Sequence, residues 1–273
     1  MKKYEFTNET KDFYGTILHQ IRAVEDFSNI KVGDLGGWIE KESNLSHEGN
    51  CWVAGNAWVY GDAWVIGDAQ VSGDAWVYGD AWVIGDAQVS GDARVSGNAQ
   101  VYGGACVYGN ARVSGDAQVY GDAQVYGDAW VTGNAQVYGD AVVCQKMYIK
   151  FSHITKDLSD RENLIQNIQA QTNLYSFDNK VYCYKHVRED LSSLHDSNFK
   201  YKVGEWIEAK DVDESIASCA AGLHVSHASY WENRGGKVVL LCKVKIEDII
   251  TVQQGKIRCR KLFVIASTDK EKF

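Results

Sequence analysis

The chain has 273 residues, enough for two domains, with 36 acidic residues against 28 basic ones and a net charge of −8. No apolar run is long enough to span a membrane, and the excess of acid argues against sequence-independent binding to nucleic-acid phosphates or to anionic lipid. Seven cysteines at irregular spacing, and an opening Met1-Lys2-Lys3-Tyr4-Glu5 that does not begin a signal peptide, point to a reducing, cytoplasmic compartment with free thiols.

Residues 1–50 read as an N-terminal β cap. The segment 16–24 is rich in β-branched residues and predicts a strand. Val32-Gly33-Asp34-Leu35-Gly36-Gly37-Trp38-Ile39 follows, with glycines for tight turns. What comes next is a stack of strands, whose open edge would template aggregation unless covered. Trp38, Ile39 and Leu45 are the candidates to plug it.

Residues 51–146 are a repeat. From 51 to 140 there are fifteen six-residue units without insertion, nearly all Ala-x-Val-x-Gly-Asp/Asn. Ala and Val are two apart and so share one side of a strand, while the two x positions face the other way. Gly followed by Asp or Asn is a turn pair. The stretch 57–74 recurs letter for letter as 75–92, so eighteen residues, three units, close one triangular coil. Five coils at the strand spacing of about 4.8 Å make a rod of about 24 Å. Such a key predicts a parallel β-helix with a dry core of stacked Val and Ala.

Taking every third unit gives the outward faces. One is mostly polar. The second opens with Trp58, Tyr60, Trp76 and Tyr78 and continues with Arg94, Ser96, Arg112 and Ser114. The third opens with Trp64, Ile66, Trp82 and Ile84 and continues with alternating Gln and Tyr. A contiguous patch of this kind marks an interface, although stacked aromatics also stabilise neighbouring strands with no partner at all. These eight residues are the predicted oligomer interface.

The rod carries ten Asp and two Arg and no Lys or Glu, so it holds all of the net charge. One charge per about 2.4 Å approaches the one per about 1.7 Å of duplex DNA. Acidic mimicry of DNA is therefore one reading of the corners, beside plain turn chemistry. No His occurs from 51 to 140. That argues against acyl transfer by the rod, which needs a general base, and against a three-His zinc site between subunits.

The pairs Val59 with Ala63 and Val65 with Ala69 resemble the key of the hexapeptide-repeat family. The stretch 36–50, from Gly36-Gly37-Trp38-Ile39 to Glu48-Gly49-Asn50, resembles the N-terminal signature of such proteins from bacteriophages and gut bacteria. The resemblance implies a left-handed β-helix with three hexapeptides per coil, and a homo-oligomer, trimers being favoured.

After Asp140 the key decays, and the rod is expected to end by 146. Residues 147–173 are then a linker and an amphipathic helix. Ser159 and Glu162 form a capping box, and Leu164, Ile165 and Ile168 fall on one helical face over 160–172. Residues 174–273 read as a small α+β domain, with strands expected at 180–186, 199–203, 238–246 and 257–265 and a short helix at 228–233. Cys183-x-x-His186 and Cys219-x4-His224-x-x-His227 contain metal-type residues without a zinc spacing, and Cys in a strand is usually a small buried hydrophobe; no metal and no cofactor are expected.

Three stretches of this half resemble an uncharacterised C-terminal domain of phage proteins: Tyr201-Lys202-Val203-Gly204-Glu205-Trp206, 219–226 around Gly222-Leu223-His224, and 248–260 ending Gly255-Lys256-Ile257-Arg258-Cys259-Arg260. Tyr184-Lys185-His186, then Gly222-Leu223-His224-Val225-Ser226, then Tyr230-Trp231, also resemble the element order of ADP-ribosyltransferase-like folds, without a placeable catalytic Glu. That resemblance implies a nucleotide pocket around Lys185, His224, Tyr230 and Trp231. No catalytic residue is assigned. The leading expectation is a non-enzymatic, phage-encoded scaffold or binding protein, acting in the host cytoplasm by sequestering a host protein or a nucleotide. The alternatives are a nucleotide-modifying enzyme and an acidic DNA mimic.

Overall fold

The computed structural model describes residues 2–144, 147–150, 152–158, 160–213, 215, 220–231 and 236–270. It divides into two units, Met1–Asp160 and Arg161–Phe273. No helix among the described residues is long and apolar enough to cross a membrane.

The first unit opens with a hairpin. Tyr4–Phe13 pairs antiparallel with Thr16–Ala23 around the turn Tyr14-Gly15, and Thr16–Ala23 pairs with Leu35–Ile39. The 4–13 strand was not expected: its residues are mostly polar and exposed on both faces, so it shows no alternation to read. Leu35–Ile39 then pairs parallel with Trp58–Val59, in the register Trp38↔Trp58 and Ile39↔Val59. The cap thus shares a sheet with the rod. Ile39 and Leu45 are buried as inward members of the first rung. Trp38 is buried on the outer side instead, under the Lys11 ammonium at 3.9 Å from its ring centroid.

The rod is a parallel β-solenoid of about six turns. Trp58 pairs with Trp76 and Val59 with Val77, a step of eighteen residues, and the step holds along all three faces. Every Ala and Val of the key from Ala57 to Val137 is buried at 0–1% exposure, so each six-residue unit adds two side chains to a continuous dry column. Between rungs the outward residues donate backbone N–H bonds to the inward residues of the next coil, as Trp58 to the Ala75 carbonyl at 2.8 Å and Tyr60 to Val77 at 3.0 Å.

The sheets continue past the expected end at 146. Tyr148–Ile149 pairs with Trp130–Val131, and His153–Ile154 with Gln136–Val137 in a shortened step of seventeen. Met147, Ile149, Ile154 and Leu158 stay buried. The inward apolar positions persist there after the glycine corners are gone, and burial is what holds a rung in place.

The corners explain the glycines. Gly79 sits at φ +73°, and a Cβ there would lie 3.0 Å from the Gly97 nitrogen in the next coil; Gly139, at φ +65°, has open space around it. Gly79→Ala and Gly139→Ala both force alanine into the left-handed region at about 1–2 kcal/mol. Only the first adds a clash with backbone. The expected result is a clearly larger loss of thermal stability for Gly79→Ala, read by calorimetry on the two variants.

In the second unit the turn Arg161–Asn163 leads into the helix Leu164–Thr172, stopped by Asn173 in the left-handed conformation. Ser159 lies outside the described residues. The helix buries Leu164 and Ile168, whereas Ile165 is 53% exposed, so the apolar face is narrower than expected. Gln171 Nε2 donates to the Val252 carbonyl at 2.7 Å and ties the helix to the sheet.

That sheet has eight strands, ordered Trp206–Glu208, Lys261–Asp269, Val238–Lys245, Lys180–Val187, Leu223–Ser226, Lys256–Cys259 and Ile249–Gln253, with Ser176–Phe177 paired beside Lys180–Val187. All paired neighbours are antiparallel. The expected strand at 257–265 is two strands broken at Arg260, and the one at 199–203 is a loop. The expected helix at 228–233 is the short 3-10 turn Ala228–Trp231, and 232–233 lie outside the described residues. The core gathers Val181, Cys183, Val225, Leu240, Cys242, Ile257, Cys259 and Val264.

Candidate functional site

A cavity of about 610 Å³ opens in the second unit. Its cationic lining comes from three neighbouring strands. Lys180–Val187 and Leu223–Ser226 are neighbours, and Leu223–Ser226 pairs with Lys256–Cys259 in the register His224↔Arg258 and Ser226↔Lys256. Strand alternation puts Lys256 and Arg258 on one side of their strand. Lys185, His224 and Lys256 line the cavity, with His186 beside them. The remaining wall is apolar and aromatic, with Phe199 and Tyr201 in edge contact at 5.3 Å, and Leu223. His195, Asp196, Lys210 and Asp211 ring the exposed mouth.

Lys185 is buried; its Nζ donates to the His224 carbonyl at 2.9 Å and stands 5.3 Å from the Tyr201 ring centroid. Burial pulls its pKa below the ordinary lysine value. His224 is lowered as well, to about 4, first by desolvation and then by the field of Lys185, Lys256, Arg258 and His195. The imidazole is therefore neutral at neutral pH inside an electropositive chamber. Its Nε2 is buried and has no hydrogen-bond partner among the described residues.

Of the four residues predicted here, Lys185 and His224 come together across 39 positions of sequence. Tyr230 does not line the cavity: its ring packs on Gly255, 3.2 Å from where a Cβ would stand. Trp231 ends the Ala228–Trp231 turn, and its side chain lies outside the described structure. Lys256, Tyr201 and His195 were not predicted. Lys256 and Arg258, two apart in a strand between apolar neighbours, were the readable signal. Cys183 and Cys242 are register partners on neighbouring strands, where burial pushes both thiols up, and Cys219 lies outside the described residues. Among the described residues no group of three or more His, Cys, Asp or Glu could hold a metal ion.

On the solenoid the eight aromatic and aliphatic residues face outward as stacked pairs. Trp58 and Trp76 stack at 4.9 Å, Tyr60 and Tyr78 at 5.1 Å, and Trp64 and Trp82 at 5.8 Å; Ile66 pairs with Ile84 in register. The cap takes up part of this patch. Phe13 lies edge-on against Trp58, Tyr60 and Trp76 at 5.0, 5.9 and 5.3 Å. Trp64 and Trp82 stay open, at 46% and 41% exposure. The ten Asp fall into three corner columns of three, three and four, so each edge carries about a third of the charge density counted along the rod.

The model of the YdcK β-solenoid repeat matches residues 69–85, 87–103, 105–121 and 123–139, segments that restart every eighteen residues as the coils do. The chain is a repeat β-solenoid protein. A protein of Escherichia coli (strain K12) named "Uncharacterized acetyltransferase YdcK" is 41% identical over 61 residues, which is 19% of this chain and 19% of that protein. The chain therefore spans about a fifth of the length of this relative. The four matched segments lie wholly within the solenoid, and none of them reaches the cavity of the second unit.

Proposed function

We propose that this is a non-enzymatic binding protein in which the solenoid is a rigid carrier and the cavity of the second unit is the recognition site for a small ligand of the nucleotide class. One observation carries the reading. The sheet brings Lys185 and His224 to one electropositive floor beside the aromatic pair Phe199 and Tyr201, in a cavity whose size falls within the few hundred to about a thousand Å³ usual for small-molecule sites. Sequestration of that ligand is the mode of action this arrangement suits, because the cavity presents cations and a neutral imidazole, and among the described residues its lining carboxylates, Asp196 and Asp211, are at the mouth.

The test is native mass spectrometry of the full chain after incubation with a nucleotide mixture that includes NAD. The expected result is one small molecule retained per chain, lost on Lys185→Met, with the free ligand unchanged in mass. Turnover of NAD would favour the nucleotide-modifying reading instead. The E. coli relative's name raises acetyl transfer as a further reading; the matched repeats contain no His to serve as base, and unchanged acetyl-CoA in the same assay is the expected outcome. Retention of no small molecule would sink the proposal.

A further inference from the structure

Arg258 is a charged side chain with 1% exposure. Its Nη2 donates to the Ser215 carbonyl, while Nε and Nη1 have no partner among the described residues. It forms no ion pair among the described residues, although Asp213 feels its field. His224, its register partner, carries the third unpartnered buried nitrogen of this corner, Nε2. Leaving a buried donor or acceptor unsatisfied costs about 1–3 kcal/mol, and more when it is charged. Native structures rarely tolerate this without a reason, such as a catalytic role or a place for a water or an ion. Here three such atoms sit together.

Their position is next to the cavity. Gly222 lines it, and a Cβ at Gly222 would stand 3.0 Å from Arg258 Cγ and 3.3 Å from Cδ. The stem of Arg258 therefore runs directly behind the cavity wall that Gly222, His224 and Lys256 form. Three cationic side chains, Lys185, Lys256 and Arg258, surround one neutral imidazole. The acidic groups of the lining, Asp196 and Asp211, are at the exposed mouth, where they disfavour an anion.

We infer that the corner of the cavity between Lys185, His224, Lys256 and Arg258 is a seat for an oxoanion, and that the ligand enters with a phosphate group foremost and its ring against Phe199 and Tyr201. A guanidinium is matched to such an acceptor. A phosphate monoester, carrying about −1.5 to −2 charges near neutral pH, balances this group of cations better than a carboxylate. The inference rests on the reading of the cavity as a ligand site and adds which end of the ligand is held, and by what.

The experiment uses the full chain in phosphate-free buffer, titrated calorimetrically with inorganic phosphate, pyrophosphate, AMP and adenosine. AMP should bind at least tenfold tighter than adenosine, and pyrophosphate should compete with it. Lys256→Gln should weaken AMP and pyrophosphate tenfold or more while leaving adenosine unchanged. Arg258→Gln should do the same; if that variant does not fold, Lys256→Gln decides. In NMR titrations pyrophosphate should move the His224 midpoint upward. Adenosine binding as tightly as AMP, or a His224 midpoint unmoved by pyrophosphate, would overturn the oxoanion seat. If a different, uncharged molecule is retained in native mass spectra, the ligand site stands and only the seat falls.

Discussion

Val101→Asp should unfold the solenoid, whereas Gln100→Glu, one residue earlier, should leave it intact. Val101 is fully buried in the middle of the column, stacked between Val83 and Val119. A carboxylate there has water on no side and no partner in a column built from Val and Ala. The penalty is upward of about 4 kcal/mol, in the range reserved for unpaired buried charge. Gln100 points outward between Trp82 and Gln118, and a surface change of that kind stays within about 0.5 kcal/mol. Because each coil contacts only its neighbours, the damage should spread from the centre. Hydrogen exchange on Val101→Asp is expected to lose protection first in the coils flanking residue 101. Equal thermal midpoints for the two variants would refute the inward column.

The second large effect is acid lability of the 161–273 unit through His224. In the folded unit this imidazole titrates at about 4, against about 6.5 when unfolded. Above pH 6.5 both states are neutral and the full stability is present. As pH falls from 6.5 toward 4 the unfolded chain takes up a proton that the folded chain refuses. Stability therefore drops over that window, by up to about 3 kcal/mol for a difference of this size. Urea midpoints measured at pH 7 and pH 4.5 should differ strongly in the natural protein and far less in His224→Gln. A bound oxoanion offsets the field of Lys185, Lys256 and Arg258, so ligand should flatten the same pH dependence. A pH profile identical in both proteins would mean that His224 is not held neutral by its surroundings.

The solenoid and the cavity differ in how far the sequence alone reveals them. Within the repeat, each residue's environment is set by neighbours one coil away, and those neighbours carry the same letters. Ala63 and Val65 point inward because Ala81 and Val83 do, so period, coil length and face follow from counting. The end of the rod was misjudged because Met147, Ile149 and Ile154 keep the inward contacts without the glycine signal that marks the corners. The aromatic patch was legible as outward-facing, but the arrival of Phe13 over Trp58, Tyr60 and Trp76 depends on a hairpin whose first strand carries no apolar alternation.

In the second unit the reasons reverse. Lys185, His224 and Lys256 come from segments far apart in the chain, and only the antiparallel strand order brings them to one cavity, with Tyr201 added from a loop. Residues 257–265 read as one strand because the apolar residues on both sides of Arg260 look alike in sequence, though the strand breaks there. What the sequence by itself determined is a stacked, three-sided β rod with valine and alanine inside and an acidic surface, since a short exact period makes every contact local in register. Tertiary structure alone decided that two lysines and a neutral histidine line one cavity with a buried arginine behind its wall, because long-range strand pairing, which leaves no periodic trace, sets which distant residues become neighbours.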